Sequence, residues 1–180
     1  MPPDVTSAPV QVSITRHKTP VGTLTVAVSA DAVLYCAFAE PEAVRQYLTT
    51  CQSVRVDEPA RAQTAFVEEV RAQLDSYLRG RLRAFSLPVD LRTASPFVRQ
   101  TVAALDGFVT YGRTETYGGL AARLRRPGAA RAVGRALGAN PVCVIEPCHR
   151  IVAASGRISG YAGGEAAKRY LLDLETSHPS

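Results

Sequence analysis

Two short apolar-periodic segments, residues 116–124 and 129–137, stand on either side of Arg125-Arg126-Pro127-Gly128, and this pattern limits the fold more than any other stretch of the chain. Proline and glycine together stop a helix and turn the backbone. The segments therefore read as two short helices around a turn: a helix-turn-helix candidate whose second helix enters a nucleic-acid groove, or an ordinary helical hairpin. Arg131 and Arg135 lie one turn apart on the second helix and share a face. Breakers continue on both sides. Ser95-Pro96 opens a helix to residue 105, because serine is a favoured N-cap and proline fits the first turn. Gly138 ends the second helix of the pair, and Asn140-Pro141 breaks the chain again. The apolar run 142–145 reads as a buried extended segment, Pro147-Cys148-His149-Arg150 follows it, and residues 164–175 form a last helix.

The first half has a different period. β-branched residues alternate with polar ones over 10–15 and 22–29, with a Pro20-containing turn at 17–21, which is a hairpin signature. A third strand follows at 32–39, then a helix at 41–50 and a longer one at 60–79. The longer helix carries Phe66, Val67, Val70, Leu74 and Leu78 on one face and has Gly80 as its C-cap. Residues 85–91, with Pro88, read as an extended linker. The charge balance changes there. Residues 1–90 carry 9 basic and 10 acidic groups, whereas residues 91–180 carry 12 and 6, an excess of +6 that is nearly all arginine. Guanidinium groups fork onto phosphates and purine edges, so the second half is where a polyanion belongs. The expected organisation is a flexible tail (1–9), an α/β domain (10–91) and a helical domain (92–180), together an α/β (α+β) chain.

Composition sets the remaining limits. At 180 residues, 46% apolar and 21% charged, the chain is neither disordered nor fibrous. No apolar run reaches the roughly 18 residues of a membrane helix, and the start lacks a basic and apolar leader. A cytoplasmic location with no membrane partner is expected, with Cys36, Cys51, Cys143 and Cys148 as reduced thiols. Cys148 directly precedes His149 and Arg150. An imidazole base or a guanidinium nearby favours a thiolate nucleophile, although a buried inert cysteine beside a structural histidine has the same spacing. Cys143, Cys148 and His149 have no second ligand pair at structural zinc spacing, so no metal is assigned.

The run RPGAARAVGRALGANPVCVIEPCHRIVAASGRISGYAGG, residues 126–164, resembles the O6-alkylguanine-DNA alkyltransferases. That family has a PCHR(V/I) block, an RAVG recognition helix, an Asn-Pro hinge and a Gly-Tyr-x-Gly-Gly loop, here all in order. The TPVGTLTVA stretch at 19–27 is similar to the family's N-terminal domain, which implies a small ribonuclease-H-like sheet with helices ahead of the helical half. The resemblance implies DNA repair by direct reversal, without a cofactor: Cys148 takes an alkyl group from O6 of guanine, or from O4 of thymine, and keeps it. His149 would accept the thiol proton through a water, Glu175 would orient His149, and Asn140 would tie the helix pair to the active-site segment. Tyr117 would donate a proton toward the guanine and press on a flanking phosphate. Arg131 would fill the gap left by the flipped base. Ala129, Ala130, Ala132 and Gly134 would let the helix approach the groove, with Arg135, Arg125 and Arg126 on phosphates. Pro147, Arg150, Tyr161, Ala162 and Gly163 would form the base pocket. The implied partner is double-stranded DNA with the lesion, bound by a monomer, with cooperative binding along DNA as an added expectation.

The chain departs from the family pattern in three places. Glu146 stands where an aliphatic residue is usual, and its carboxylate would either raise the Cys148 thiol, face solvent, or pair with an arginine. FVRQTVAAL lacks the family's tryptophan, and Thr110 of VTYG replaces its proline. No zinc-ligand set is recognisable around Cys36 and Cys51. Two rivals stand beside the transferase: a sensor that binds alkylated DNA without transfer, and a thiol hydrolase that turns over and ignores DNA.

Overall fold

The alternating residues of the first half pair as a hairpin. β1 (Val10–Thr19) runs antiparallel to β2 (Gly22–Val28), with Thr19 opposite Gly22. The strand extends four residues past its expected end because the turn tightens to Pro20-Val21, with Gly22 at φ +123°, a conformation open to glycine. The computed structural model describes residues 8–57, 61–158 and 160–177. Residues 1–7 of the expected tail, and the expected first helical residue Ala60, lie outside these.

β3 (Val33–Ala37) continues the sheet antiparallel to β2, and β4 (Val54–Val56) adds parallel to β1, giving the order β3-β2-β1-β4. Helix α1 (Pro41–Thr49) covers one face, with Val44 and Leu48 against Val12, Ala27, Leu34 and Val54. Helix α2 (Arg61–Leu78) covers the other, with Val70, Leu74 and Tyr77 on Leu24, Val26 and Val28. Gly80, at φ +70°, follows its end. The stretch around Pro88 is held to the sheet, since Val33 N–H donates to Pro88 O at 2.9 Å and Asp90 N–H to Val33 O at 2.9 Å.

Helix α3 (Pro96–Ala103) starts on the Ser95 side chain, which accepts from Val98 N–H. Lacking tryptophan, it packs through Val98 and Val102 on Ala136. Helices α4 (Tyr117–Arg123) and α5 (Ala130–Gly138) form the expected pair, α4 capped by Thr116 at 3.0 Å from Gly119 N. Their connection reverses through Arg125 and Gly128, both at positive φ (58° and 88°). β5 (Glu115–Thr116) pairs parallel with β6 (Ile151–Val152), and α6 (Gly164–Ser177) closes the fold.

The segment 142–145 is buried but not extended. Asn140 Oδ1 takes the Val142 N–H at 3.0 Å, and Glu146 N–H returns to Val142 O at 3.0 Å. A side chain that competes for backbone donors thus replaces the strand by a turn. Val144 sits at φ +72°, which costs a β-branched residue about 1–3 kcal/mol. The largest core joins both halves, with Leu24, Leu74 and Tyr77 beside Val142, Val144 and Leu171. A second core gathers Leu105, Leu120, Val133, Leu137 and Ile151 around Cys143 and Cys148. Each such leucine contributes roughly 1.5–3 kcal/mol by its burial. Among the described residues no helix is long and apolar enough to cross a membrane.

Candidate active site

Cys148 opens a single 3-10 turn, Cys148–Arg150, whose entry is fixed by Cys148 N–H donating to Glu146 O at 2.8 Å. The turn sends His149 and Arg150 inward, both to the Glu175 carboxylate on α6. His149 Nε2 lies 2.7 Å from Glu175 Oε1, and Arg150 Nε is 3.1 and 3.0 Å from the two oxygens. Gly112 N–H donates to Oε2 at 2.9 Å, and the Tyr77 hydroxyl donates to Oε1. Burial works against the Glu175 charge, but His149, Arg150 and Tyr77 together hold its carboxyl down at about 2. Burial also lowers the His149 ring, with Glu175 opposing, so the imidazole is neutral at pH 7. With Nε2–H donating to the carboxylate, Nδ1 carries the lone pair. It is buried and has no protein hydrogen-bond partner among the described residues.

The Cys148 thiol is 5% exposed, yet its pKa is lowered. A hydrogen bond from Cys143 is the largest cause; burial opposes it, and Asn140 and the Lys168 charge add to it. Asn140 is itself tied to the turn, with Nδ2 donating to Val142 O at 3.4 Å. Lys168 is buried on α6, its Nζ 2.6 Å from Ile151 O and 3.4 Å from the Tyr117 hydroxyl. Burial lowers the Lys168 ammonium, and the Cys148 thiolate pulls it back up. Tyr117, half-buried at the start of α4, has its phenol raised by burial and then by Cys148.

Tyr117 also lines a 680 Å³ groove along α5, with Arg131, Gly134, Arg135, Ala153 and Gly160. The helix buries Val133, Ala136 and Leu137 and exposes Arg131 and Arg135. Ala130, Ala132 and Gly134 are partly covered; a Cβ on Gly134 would rest 3.7 Å from the Tyr117 ring. Ala129 precedes α5, and Arg125 and Arg126 are exposed in the connection, with Arg126 stacked 5.2 Å over Phe97. On the other side of Cys148, the Tyr161 ring stands edge-on to Phe38 at 5.9 Å and to His149 at 6.4 Å. Its hydroxyl is buried with no hydrogen-bond partner among the described residues, while Ala162 is exposed. Gly163 is required for close approach: a Cβ there would lie 2.5 Å from the Phe38 ring. Pro147 and Arg150 also line a 240 Å³ cavity with Arg83, Asp106 and Glu146.

That cavity accounts for Glu146. Burial and then the Asp106 charge raise its carboxyl, and it is not among the groups acting on the Cys148 thiol. Among the described residues no cluster of three or more His, Cys, Asp or Glu is placed to hold a metal ion. Sequence reasoning missed Tyr77, Gly112, Lys168 and Cys143 as members of this site. Tyr77 and Gly112 approach from far along the chain. Lys168 shares the apolar stripe of α6 with Leu171 and Glu175, a polar pair at helical spacing that was readable.

A family model for the "6-O-methylguanine DNA methyltransferase, DNA binding domain" matches residues 96–177, the span from α3 to the end of α6. A methylated-DNA–protein-cysteine methyltransferase of Mycolicibacterium paratuberculosis is 44% identical over 127 residues, 67% of this chain and 74% of that one. The Haemophilus influenzae protein of the same name is 32% identical over 89% of this chain and 84% of its own. The crystal structure of Mycobacterium tuberculosis O6-methylguanine methyltransferase superposes with a TM-score of 0.74 at 35% identity, covering 94% of this chain and 95% of that one. A structure of the M. tuberculosis protein in complex with DNA gives 0.72 at 36% identity, covering 94% of each chain. With the thiol, the buried imidazole–carboxylate pair and the arginine-bearing helix in one frame, and relatives alike over most of their length, the chain belongs to the methylated-DNA–protein-cysteine methyltransferase family.

Proposed function

We propose that this protein repairs O6-alkylguanine in double-stranded DNA by moving the alkyl group irreversibly to Cys148. The observation that carries this reading is the Cys148 thiol, buried yet lowered in pKa, beside a neutral His149 whose Nε2 is held by Glu175. The Cys148 proton passes through a water to Nδ1 of His149, and Glu175 stabilises the imidazolium. The thiolate attacks the alkyl carbon; the S–C bond forms, the C–O6 bond breaks, and its electron pair stays on the base. Tyr117 gives the base a proton so that it leaves as neutral guanine. Consuming the thiolate removes the charge that, after burial, raises the Tyr117 phenol, so proton donation becomes easier as the reaction proceeds.

The lesion lies inside the duplex, so the nucleotide is extruded, at a cost of a few kcal/mol that a mispaired base reduces. Arg131 occupies the vacated stack, the small residues Ala129, Ala130, Ala132 and Gly134 allow close approach, and Arg125, Arg126 and Arg135 meet phosphates. The loop of Tyr161, Ala162 and Gly163, with Pro147, walls the base pocket, and Arg150 supports it through Glu175. The same reading includes a cytoplasmic monomer in which the division near residue 92 separates a supporting domain from the DNA-binding one, and binding along DNA that is cooperative.

Lesion removal counted on the DNA tests this. With lesion duplex in excess, removal stops at one lesion per protein and is absent in Cys148→Ser. Continued turnover, or removal indifferent to Cys148, refutes it.

A further inference from the structure

Strand β3 ends in a tight turn that carries one aromatic ring from the first half of the chain to the loop before α6. Ala39 N–H donates to Ala37 O at 3.0 Å, so Phe38 is the middle residue of a three-residue turn. The Thr25 hydroxyl of β2 donates to Ala39 O, which pins the far side of that turn to the sheet. Phe38 is thereby held by the sheet, yet its ring meets the loop. A Cβ on Gly163 would lie 2.5, 2.6 and 2.9 Å from three of its ring carbons, and the Tyr161 ring stands edge-on to it at 5.9 Å. Tyr161 in turn packs against the core that holds Cys148 and stands edge-on to His149 at 6.4 Å.

We propose that Phe38 is a specificity-determining residue of the transfer reaction: its ring backs the loop 161–163 and so limits the size of the alkyl group that fits before the Cys148 sulfur. This deepens the alkyl-transfer reading and rests on it, with the loop as a wall of the base pocket. The loop borders two open spaces. Gly160, at one end, lines the 680 Å³ groove along α5; Gly163, at the other, lines a 410 Å³ cleft with Phe38, Val21, Thr23, Arg16 and Glu40. A group larger than methyl needs the wall to move back, and the cleft is the space that would receive it. Phe38 touches the loop and lines the cleft, so its ring fills the path of that retreat.

The ring has little room of its own. A Cβ on Gly22, in the β1–β2 hairpin, would rest 3.5 Å from it, so the hairpin braces it from the sheet side while the loop presses from the other. In a close-packed contact of this kind a change of one methylene is felt. Phe38 carries no titratable group, and it acts on the reaction through the loop. Its removal changes the room beside Tyr161, so the effect belongs to the ratio between alkyl groups of different size.

Transfer rates from O6-methylguanine and O6-benzylguanine, each set in the same duplex, read this in the full chain, because base flipping and phosphate contacts cancel in their ratio. Phe38→Ala is expected to raise the benzyl-to-methyl ratio by about tenfold, the lower end of what one methylene's room is worth in an apolar pocket. Phe38→Leu is expected to fall between that variant and wild type. An unchanged ratio with both rates lowered alike marks a packing role and overturns the proposal, as does a lowered ratio. Should Phe38→Ala not fold, Phe38→Leu and Phe38→Met carry the same criterion. A melting cycle, which needs no lesion, tests the contact itself. Gly163→Ala and Phe38→Ala should each lower the melting temperature, and the double variant should lose less than their sum, because the added methyl takes room the ring has left; additive losses overturn the proposal. A wild type that transfers neither group overturns the alkyl-transfer reading and this proposal with it, whereas methyl transfer with an unmoved ratio in the variants overturns this proposal alone.

Discussion

Replacing Glu175 by glutamine leaves the shape of α6 intact and removes the charge on which four donors converge. His149 Nε2, Arg150 Nε, Gly112 N and the Tyr77 hydroxyl all meet this carboxylate. Glutamine offers one acceptor oxygen in place of two and turns an N–H₂ group toward at least one donor. Arg150, 8% exposed, is left without its counter-charge. Breaking a buried pair from one side costs about 3–5 kcal/mol. The depressed carboxyl gives a figure of the same size: a value of about 2 in the fold against 4.5 ordinarily corresponds to about 3 kcal/mol at neutral pH. We therefore expect Glu175→Gln to lose about 4 kcal/mol, or about 8–16 °C in melting temperature for a chain of this size.

The sign with pH follows from the depressed carboxyl. Its stabilisation is complete above the unfolded value near 4.5 and is lost as pH falls toward about 2. His149, buried and neutral, adds loss in the same direction below its ordinary 6.5. Wild type should thus weaken in acid while the variant, already without the carboxylate, shows a flatter profile between about pH 5 and pH 3. Thermal unfolding of both proteins across that range, with alkyl transfer measured at neutral pH, is the assay. A cost below about 1 kcal/mol, the net worth of an ordinary hydrogen bond, or parallel acid profiles would refute the role assigned to this network.

Three further substitutions probe other parts of the site. Arg131→Ala removes an exposed side chain from the groove wall without touching the thiol, so transfer from duplex DNA should fall far more than transfer from the free base; equal loss on both would contradict its place in the duplex. Glu146→Val should leave the Cys148 titration where it is, since that carboxyl answers to burial and Asp106, and a lowered thiol midpoint would show that the charge reaches the sulfur. Gly163→Ala sets a methyl 2.5 Å from the Phe38 ring; overpacking of this kind costs about 1–3 kcal/mol, and it should displace the Tyr161 loop and weaken lesion binding more than binding of undamaged DNA, whereas unchanged binding of both would remove that loop from the pocket.

The parts legible in the sequence are those written locally. The hairpin, the two helices around Pro127-Gly128, the Ser95 cap and the Cys148-His149 pair all depend on residues a few positions apart. What escaped depends on long-range pairing or on side chains that overrule periodicity. β4, with three residues, and the β5–β6 pair, with two each, are too short to show alternation. The 142–145 run has the composition of a buried strand, and the Asn140 side chain turns it instead. Tyr77 sits on the apolar face of α2 and reads as core; only its contact with Glu175, 98 residues away, makes it part of the site. Cys143 likewise reads as a small buried residue, and only the fold places it in the core that holds Cys148.

The central claim is that Cys148 becomes the permanent carrier of the alkyl group, and the intact mass of the protein tests it most directly. After incubation with an O6-methylguanine duplex, the wild type is expected to gain one methyl in place of one hydrogen, to stop at a single equivalent, and to carry it on the peptide containing Cys148, while Cys148→Ala gains nothing. An unchanged mass with DNA binding retained, or an adduct that persists in Cys148→Ala, would contradict the account.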